Sequence, residues 1–144
     1  MIEEKTEGVS LAATLSAPVE EVWKAWTKPS LMGWYGSDPA GTVVEAAADA
    51  RKGGRFRVTF QQSDGTRYTC MGTYLTVEPL RRLEFTWTWA GRENHTERVR
   101  VAFAEADGST TLILEHLDID PGTSHNYAEG WRTTFGKLEK QLLG

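Results

Sequence analysis

One long helix with a single apolar stripe sets the terms for the rest of this chain. From Thr123 to Gly144, the residues Tyr127, Trp131, Thr134, Phe135, Leu138 and Leu142 recur at steps of three and four. That spacing puts them on one helical face. Glu129, Arg132, Lys137, Glu139 and Lys140 fall on the flanks and the far side. Thr123 and Ser124 offer N-cap oxygens after the turn signal Asp120-Pro121-Gly122. Lys137 and Lys140 sit near the C-terminal end, where cations suit the helix dipole. Gly136 lies opposite the stripe, whereas Gly130 lies at its edge beside Trp131, where a missing side chain leaves space. A helix this apolar on one side needs a broad apolar surface to cover it.

The preceding chain supplies that surface as strands. Val9, Leu11, Ala13 and Leu15 alternate with polar or small residues, the period of a strand. Pro18 then opens a helix whose Val19, Val22, Trp23 and Trp26 share one face, with Glu20 and Glu21 in its first turn. Pro29 ends it, and a second helical turn is expected over Ser30 to Trp34, with Leu31 and Trp34 inward. Gly36 to Gly41 reads as a loop.

From Thr42 to Leu117 the turn signals Gly53-Gly54, Asp64-Gly65, Glu78-Pro79, Ala90-Gly91 and Asp107-Gly108 divide the chain into six strands of a meander. If the Asp-Gly loops have two residues, Asp107-Gly108 pairs Phe103 with Leu112, Val101 with Leu114 and Val99 with His116. Asp64-Gly65 then pairs Phe60 with Thr69, Val58 with Met71 and Phe56 with Thr73, and Trp87, Val99 and His116 form a row. Phe56, Val58, Phe60, Met71, Leu75, Val77, Leu83, Phe85, Trp87, Trp89, Val99, Val101, Phe103, Leu112 and Leu114 come out on one face. Arginines, threonines and glutamates dominate the other, as an antiparallel sheet with one wet face requires. A bulge would shift the assignment beyond it, and Gly72 is the place expected for one. The expected fold is α+β: a curved seven-stranded antiparallel sheet around a long C-terminal helix, with two short helices after the first strand, all in one domain over 1–144.

Composition narrows the functions. The net charge is −4 with both signs interspersed, so no basic stripe invites nucleic acid. No apolar run approaches a membrane span, and the charged start of the chain is no signal peptide. Cys70, the single cysteine, cannot form an internal disulfide, which fits a reducing cytoplasm. Six tryptophans imply a wide aromatic interior.

Several landmarks then resemble a known family: Ala17-Pro18 with Val22-Trp23, Thr27-Lys28-Pro29 with Leu31 and Trp34, Asp49 and Arg51 before Gly53-Gly54, Asp64-Gly65, Gly72 with Glu78-Pro79 and Leu83, and Gly130-Trp131 with Leu138. In order and spacing they are similar to the START-like (SRPBCC) superfamily with its helix-grip fold. The branch they resemble most is named after the activator of the heat-shock chaperone ATPase. The resemblance implies a cavity between sheet and long helix, closed by the short helices. Superfamily members hold lipids, sterols, polyketides or plant hormones there, and some are cyclases or aromatases.

His116 is the polar residue whose parity turns it inward, near the start of the long helix. It can bind a ligand oxygen, act as acid or base, or serve as a paired structural group. Glu97 has inward parity too and is expected at the solvent-facing mouth, with His116 as its other option. His95, His116 and His125 match no metal-ligand spacing, and no cofactor is expected. The expected ligand-binding set is Trp34, Phe60, Trp87, His116, Tyr127 and Trp131. The leading expectation is a protein that holds a small hydrophobic molecule. The alternatives are a cofactor-free cyclase- or hydrolase-type enzyme using His116 with Tyr127, and an interaction protein acting as a chaperone accessory in stress response or as a homodimer. For the last, Tyr68, Tyr74 and Ile113 are expected on the outward face.

Overall fold

The computed structural model describes residues 7–119 and 127–144. Strand β1 (Glu7–Leu15) is followed by helix α1 (Val19–Thr27), β2 (Thr42–Ala48), β3 (Arg55–Gln61), β4 (Arg67–Glu78), β5 (Arg82–Trp89), β6 (Glu97–Ala106), β7 (Ser109–Ile119) and helix α2 (Tyr127–Leu143). The seven strands form one antiparallel sheet in the order β1-β7-β6-β5-β4-β3-β2. This is the sheet around one helix expected from the periodicities, and the helix-grip fold that the resemblance implies. The expected caps Thr123 and Ser124, the turn at 120–122 and His125 lie outside the described residues.

The second expected helix is only a single 3₁₀ turn, Pro29–Leu31. Met32 and Trp34 enter the core after it, while Leu31 is half-buried. Helix α1 has no side-chain cap of its own. Instead Glu105, at the end of β6, accepts the Val19 N–H at 2.7 Å, a carboxylate placed where the helix dipole favours it. Val22, Ala25 and Trp26 form its buried face.

The two Asp-Gly hairpins behave differently. Asp107 and Gly108 both take positive φ, 54° and 79°, as a two-residue turn with the strand's own twist demands. The pairs Phe103 with Leu112, Val101 with Leu114 and Val99 with His116 follow. At Asp64-Gly65 only the glycine does so, at 90°. That loop is longer: Gln62 and Thr66 bond across it, and Asp64 caps the Thr66 N–H. Phe60 therefore meets Tyr68, Val58 meets Cys70 and Phe56 meets Gly72.

A shift of one residue reverses sidedness along the strand. Cys70 and Tyr74 are buried, Met71 turns to the other face and Leu75 is exposed. Tyr74 is thus a core residue and not part of an outward patch. The bulge in β4 falls between Tyr74 and Thr76 rather than at Gly72. Gly72 answers a different need: a Cβ there would lie 1.8 Å from the Thr86 carbonyl oxygen. In β5, Trp87 pairs with Glu97, so the row through Val99 and His116 begins at Phe85.

Trp26 sits at the centre of the core. Its ring meets Trp34 edge-on at 4.7 Å and stacks on Trp131 at 6.2 Å, with Phe85, Phe103 and Phe135 around it. Leu138 is fully buried in the same cluster, which also takes in Val22, Val19 and Leu142. The C-terminal half of α2 therefore closes solid core.

Candidate functional site

The N-terminal half of α2 does not close in the same way. Between it and β3–β5 lies a cavity of about 630 Å³, within the range of roughly 300–1,000 Å³ common for small-molecule sites. Its aromatic wall is Tyr35, Phe60, Tyr68, Trp87, Trp89, Tyr127 and Trp131. Gly130 and Thr134 continue the α2 side, and Arg67 and Arg92 stand among the polar groups of the lining.

Of the six expected residues, Phe60, Trp87, Tyr127 and Trp131 line this cavity. Trp34 and His116 stand behind the wall. Trp34 is buried, its indole N–H bonded to the Ala25 carbonyl at 2.9 Å and its ring against Trp26 and Tyr35. Sequence parity could not separate Trp34 from Tyr35, because this irregular segment has no period. It is Tyr35 that reaches the cavity.

His116 is fully buried in a polar cluster. The Trp131 indole N–H donates to its Nδ1 at 3.0 Å. An indole nitrogen can only donate, so Nδ1 carries no proton. The ring is then the Nε2–H tautomer, and Nε2 donates to Glu97 Oε1 at 2.7 Å. The same Glu97 oxygen accepts the Tyr127 hydroxyl at 3.0 Å, and Tyr127 accepts the Trp89 indole N–H at 2.8 Å. Glu97 is only 3% exposed. It meets His116 and does not face solvent at the mouth, because its pairing with Trp87 sets it under the first turn of α2. Burial is the main force pushing the Tyr127 hydroxyl pKa well above its ordinary value, and the neighbouring Glu97 charge adds to it.

This cluster ties the start of α2 to β5, β6 and β7, and its donors and acceptors satisfy one another. Trp87 differs: its indole N–H is buried without an acceptor among the described residues, as is that of Trp26. His95 is bonded to the Asp118 carbonyl at 2.7 Å. Among the described residues, no three histidine, cysteine or carboxylate side chains converge as a metal site would need.

The loop after the 3₁₀ turn forms the cavity's other rim and is clasped on two sides. Lys137 Nζ donates to the carbonyls of Gly36 at 3.0 Å and Asp38 at 3.1 Å, with Tyr35 at 3.4 Å. Burial lowers the pKa of this ammonium, and Asp38 partly offsets that. Asp38 in turn accepts the Ser63 N–H and hydroxyl and the Ala40 N–H at 2.8, 2.9 and 2.9 Å, joining the rim to the β3–β4 turn. Gly130 faces this loop, since a Cβ there would lie 3.3 Å from Ser37 Cβ. Nothing in the helical period could have revealed Lys137 as the clasp; an exposed lysine reads the same way.

A sheet gripping one helix, with an aromatic cavity under the helix's first turns, defines a helix-grip protein. Within that class, residues 16–143 match the family described as Activator of Hsp90 ATPase homolog 1-like protein, and the chain belongs to it. A mouse protein, activator of 90 kDa heat shock protein ATPase homolog 1, is 23% identical over 94% of this chain. The chain spans only 37% of that relative's length. Among solved structures, a protein from Chromobacterium violaceum superposes with a TM-score of 0.84 at 21% identity, over 96% of this chain and 99% of its own. One from Nitrosomonas europaea gives 0.81 at 23%, over 99% and 97%. An AHSA1 protein from Silicibacter pomeroyi gives 0.80 at 23%, over 95% and 98%. At these identities the likeness shows the fold. No helix among the described residues is long and apolar enough to cross a membrane.

Proposed function

We propose that this protein binds a small hydrophobic molecule between its sheet and α2. The observation that carries the reading is the cavity of about 630 Å³ walled by seven aromatic side chains. An aromatic wall of this kind suits a flat or elongated apolar molecule. Covering it yields about 25 cal/mol per Å² of apolar surface, so useful affinity needs few hydrogen bonds. A ligand oxygen would also supply the acceptor that the buried Trp87 N–H lacks. Binding is favoured over turnover because His116, Glu97 and Tyr127 are engaged with one another. The chaperone-accessory reading borrows from a relative this chain covers only in part.

Native mass spectrometry of the purified protein should reveal a co-purified small molecule, or saturable uptake of an added apolar one. Trp87, Trp89 and Trp131 line the cavity, so occupancy should quench tryptophan emission. Gly130→Leu, whose side chain meets Ser37 and must turn into the cavity, should weaken uptake while the far-UV circular dichroism stays unchanged. If no apolar compound binds saturably, or the Gly130 variant binds as well as the parent, the reading fails.

A further inference from the structure

The charges at this cavity are one-sided, although the chain as a whole is acidic. Arg67 and Arg92 line it, and among the described residues no aspartate or glutamate does. Glu97, the nearest buried carboxylate of the polar cluster, lies behind Tyr127 and is taken up by that hydroxyl and His116. Five other arginines are ion-paired, Arg51 with Asp49, Arg57 with Glu45, Arg82 with Glu78, Arg98 with Glu84 and Asp118, and Arg100 with Glu84 and Glu115, whereas Arg55, Arg81 and Arg132 are unpaired among the described residues but do not line the cavity. Among the described residues neither Arg67 nor Arg92 has an ion-pair partner. Both belong to one end of the β4–β5 pair. Arg67 opens β4, and Arg92 follows β5 in the turn that the Ala90 N–H to Thr69 carbonyl bond draws back against β4. Arg67 is held at Nε by the Gln61 side-chain oxygen at 2.9 Å, and among the described residues its terminal nitrogens have no partner. Arg92 lies near enough for its charge to act on the Tyr127 hydroxyl.

We propose that the cavity selects an aromatic carboxylate, with the ring among the aromatic walls and the carboxylate at the mouth between Arg67 and Arg92. The inference rests on the ligand-binding reading above. A planar guanidinium presents paired N–H donors that match the two oxygens of a carboxylate. An apolar wall beside it weakens competition from water. The two features together discriminate against neutral rings, which lose the charge-assisted bonds. They also discriminate against small hydrophilic anions, which leave the rings bare.

The test is calorimetric titration with 2-naphthoate and 2-naphthamide, which share one ring system and differ in charge. At neutral pH and low salt the protein should bind naphthoate about tenfold more tightly, the scale of one charge-assisted hydrogen bond. That preference should shrink as salt is added, since the mouth is exposed. Arg92→Gln and Arg67→Gln should each weaken naphthoate several-fold and leave naphthamide unchanged, with circular dichroism confirming the fold. Equal affinity for the two probes, or arginine variants that keep the preference, overturns the anion selection while the hydrophobic pocket stands. If neither probe binds, the pocket reading and this inference fall together.

Discussion

Replacing Trp131 by phenylalanine tests the buried cluster at its most constrained point. The indole N–H donates to His116 Nδ1 at 3.0 Å, and both residues are essentially sealed from solvent. Phenylalanine keeps an aromatic ring but leaves Nδ1 a buried acceptor without a donor, which costs about 1–3 kcal/mol. The smaller ring also gives up on the order of 40 Å² of buried apolar surface, worth ~1 kcal/mol. The sum is a destabilisation of about 2–4 kcal/mol, at the lower end if a water enters from the cavity to serve Nδ1. Denaturant titration with an unchanged slope would measure it. Long-range proton–nitrogen NMR of the parent protein checks the premise directly. It should show the His116 proton on Nε2 and a bare Nδ1. A proton on Nδ1, or a variant as stable as the parent, would refute the argument from the indole donor.

Three other outcomes follow from single contacts. Gly72→Ala should lose more than about 4 kcal/mol in denaturant titration or fail to fold, because its Cβ would sit 1.8 Å from the Thr86 oxygen and 2.7 Å from the Phe56 ring; near-parental stability would show that the two strands part easily. Cys70 is fully buried, and burial pushes its thiol pKa far above the ordinary 9.0. It should resist a thiol reagent at mildly alkaline pH and react only on unfolding, as followed by mass spectrometry. The N–H of Ser63, then that of Ala40, holds the Asp38 carboxyl below its ordinary 3.8, so the unfolded chain takes up this proton first. Its stabilisation is present above 3.8 and is lost as the pH falls through the folded value. Thermal melts of Asp38→Asn should show a shallower acid limb than the parent, and an identical limb would count against the clasp.

The strand count, the long helix and the stripe Tyr127, Trp131, Phe135, Leu138 were determined by the sequence itself. They rest on local period and turn chemistry, which act before any long-range contact forms. The β6–β7 register was legible for the same reason: Asp107 and Gly108 both adopt the left-handed conformation of a two-residue turn. The same dipeptide at Asp64-Gly65 was ambiguous. Only tertiary contact tells the two apart there, for Asp38, distant in sequence, clasps Ser63 in the longer loop. That one-residue difference decides whether Cys70 and Tyr74 or Met71 and Leu75 meet the core. The inward turn of His116 and its place near the start of α2 were readable, and Glu97 was one of two options for it, but the bonds that join them were not. Tyr127 and Trp131 come from α2 and Glu97 from β6, and a hydrogen bond between such distant stretches leaves no mark on local spacing. A cavity between sheet and helix was expected, but its exact walls were not readable. The space left between side chains is a property of their packing in three dimensions, which no local period records.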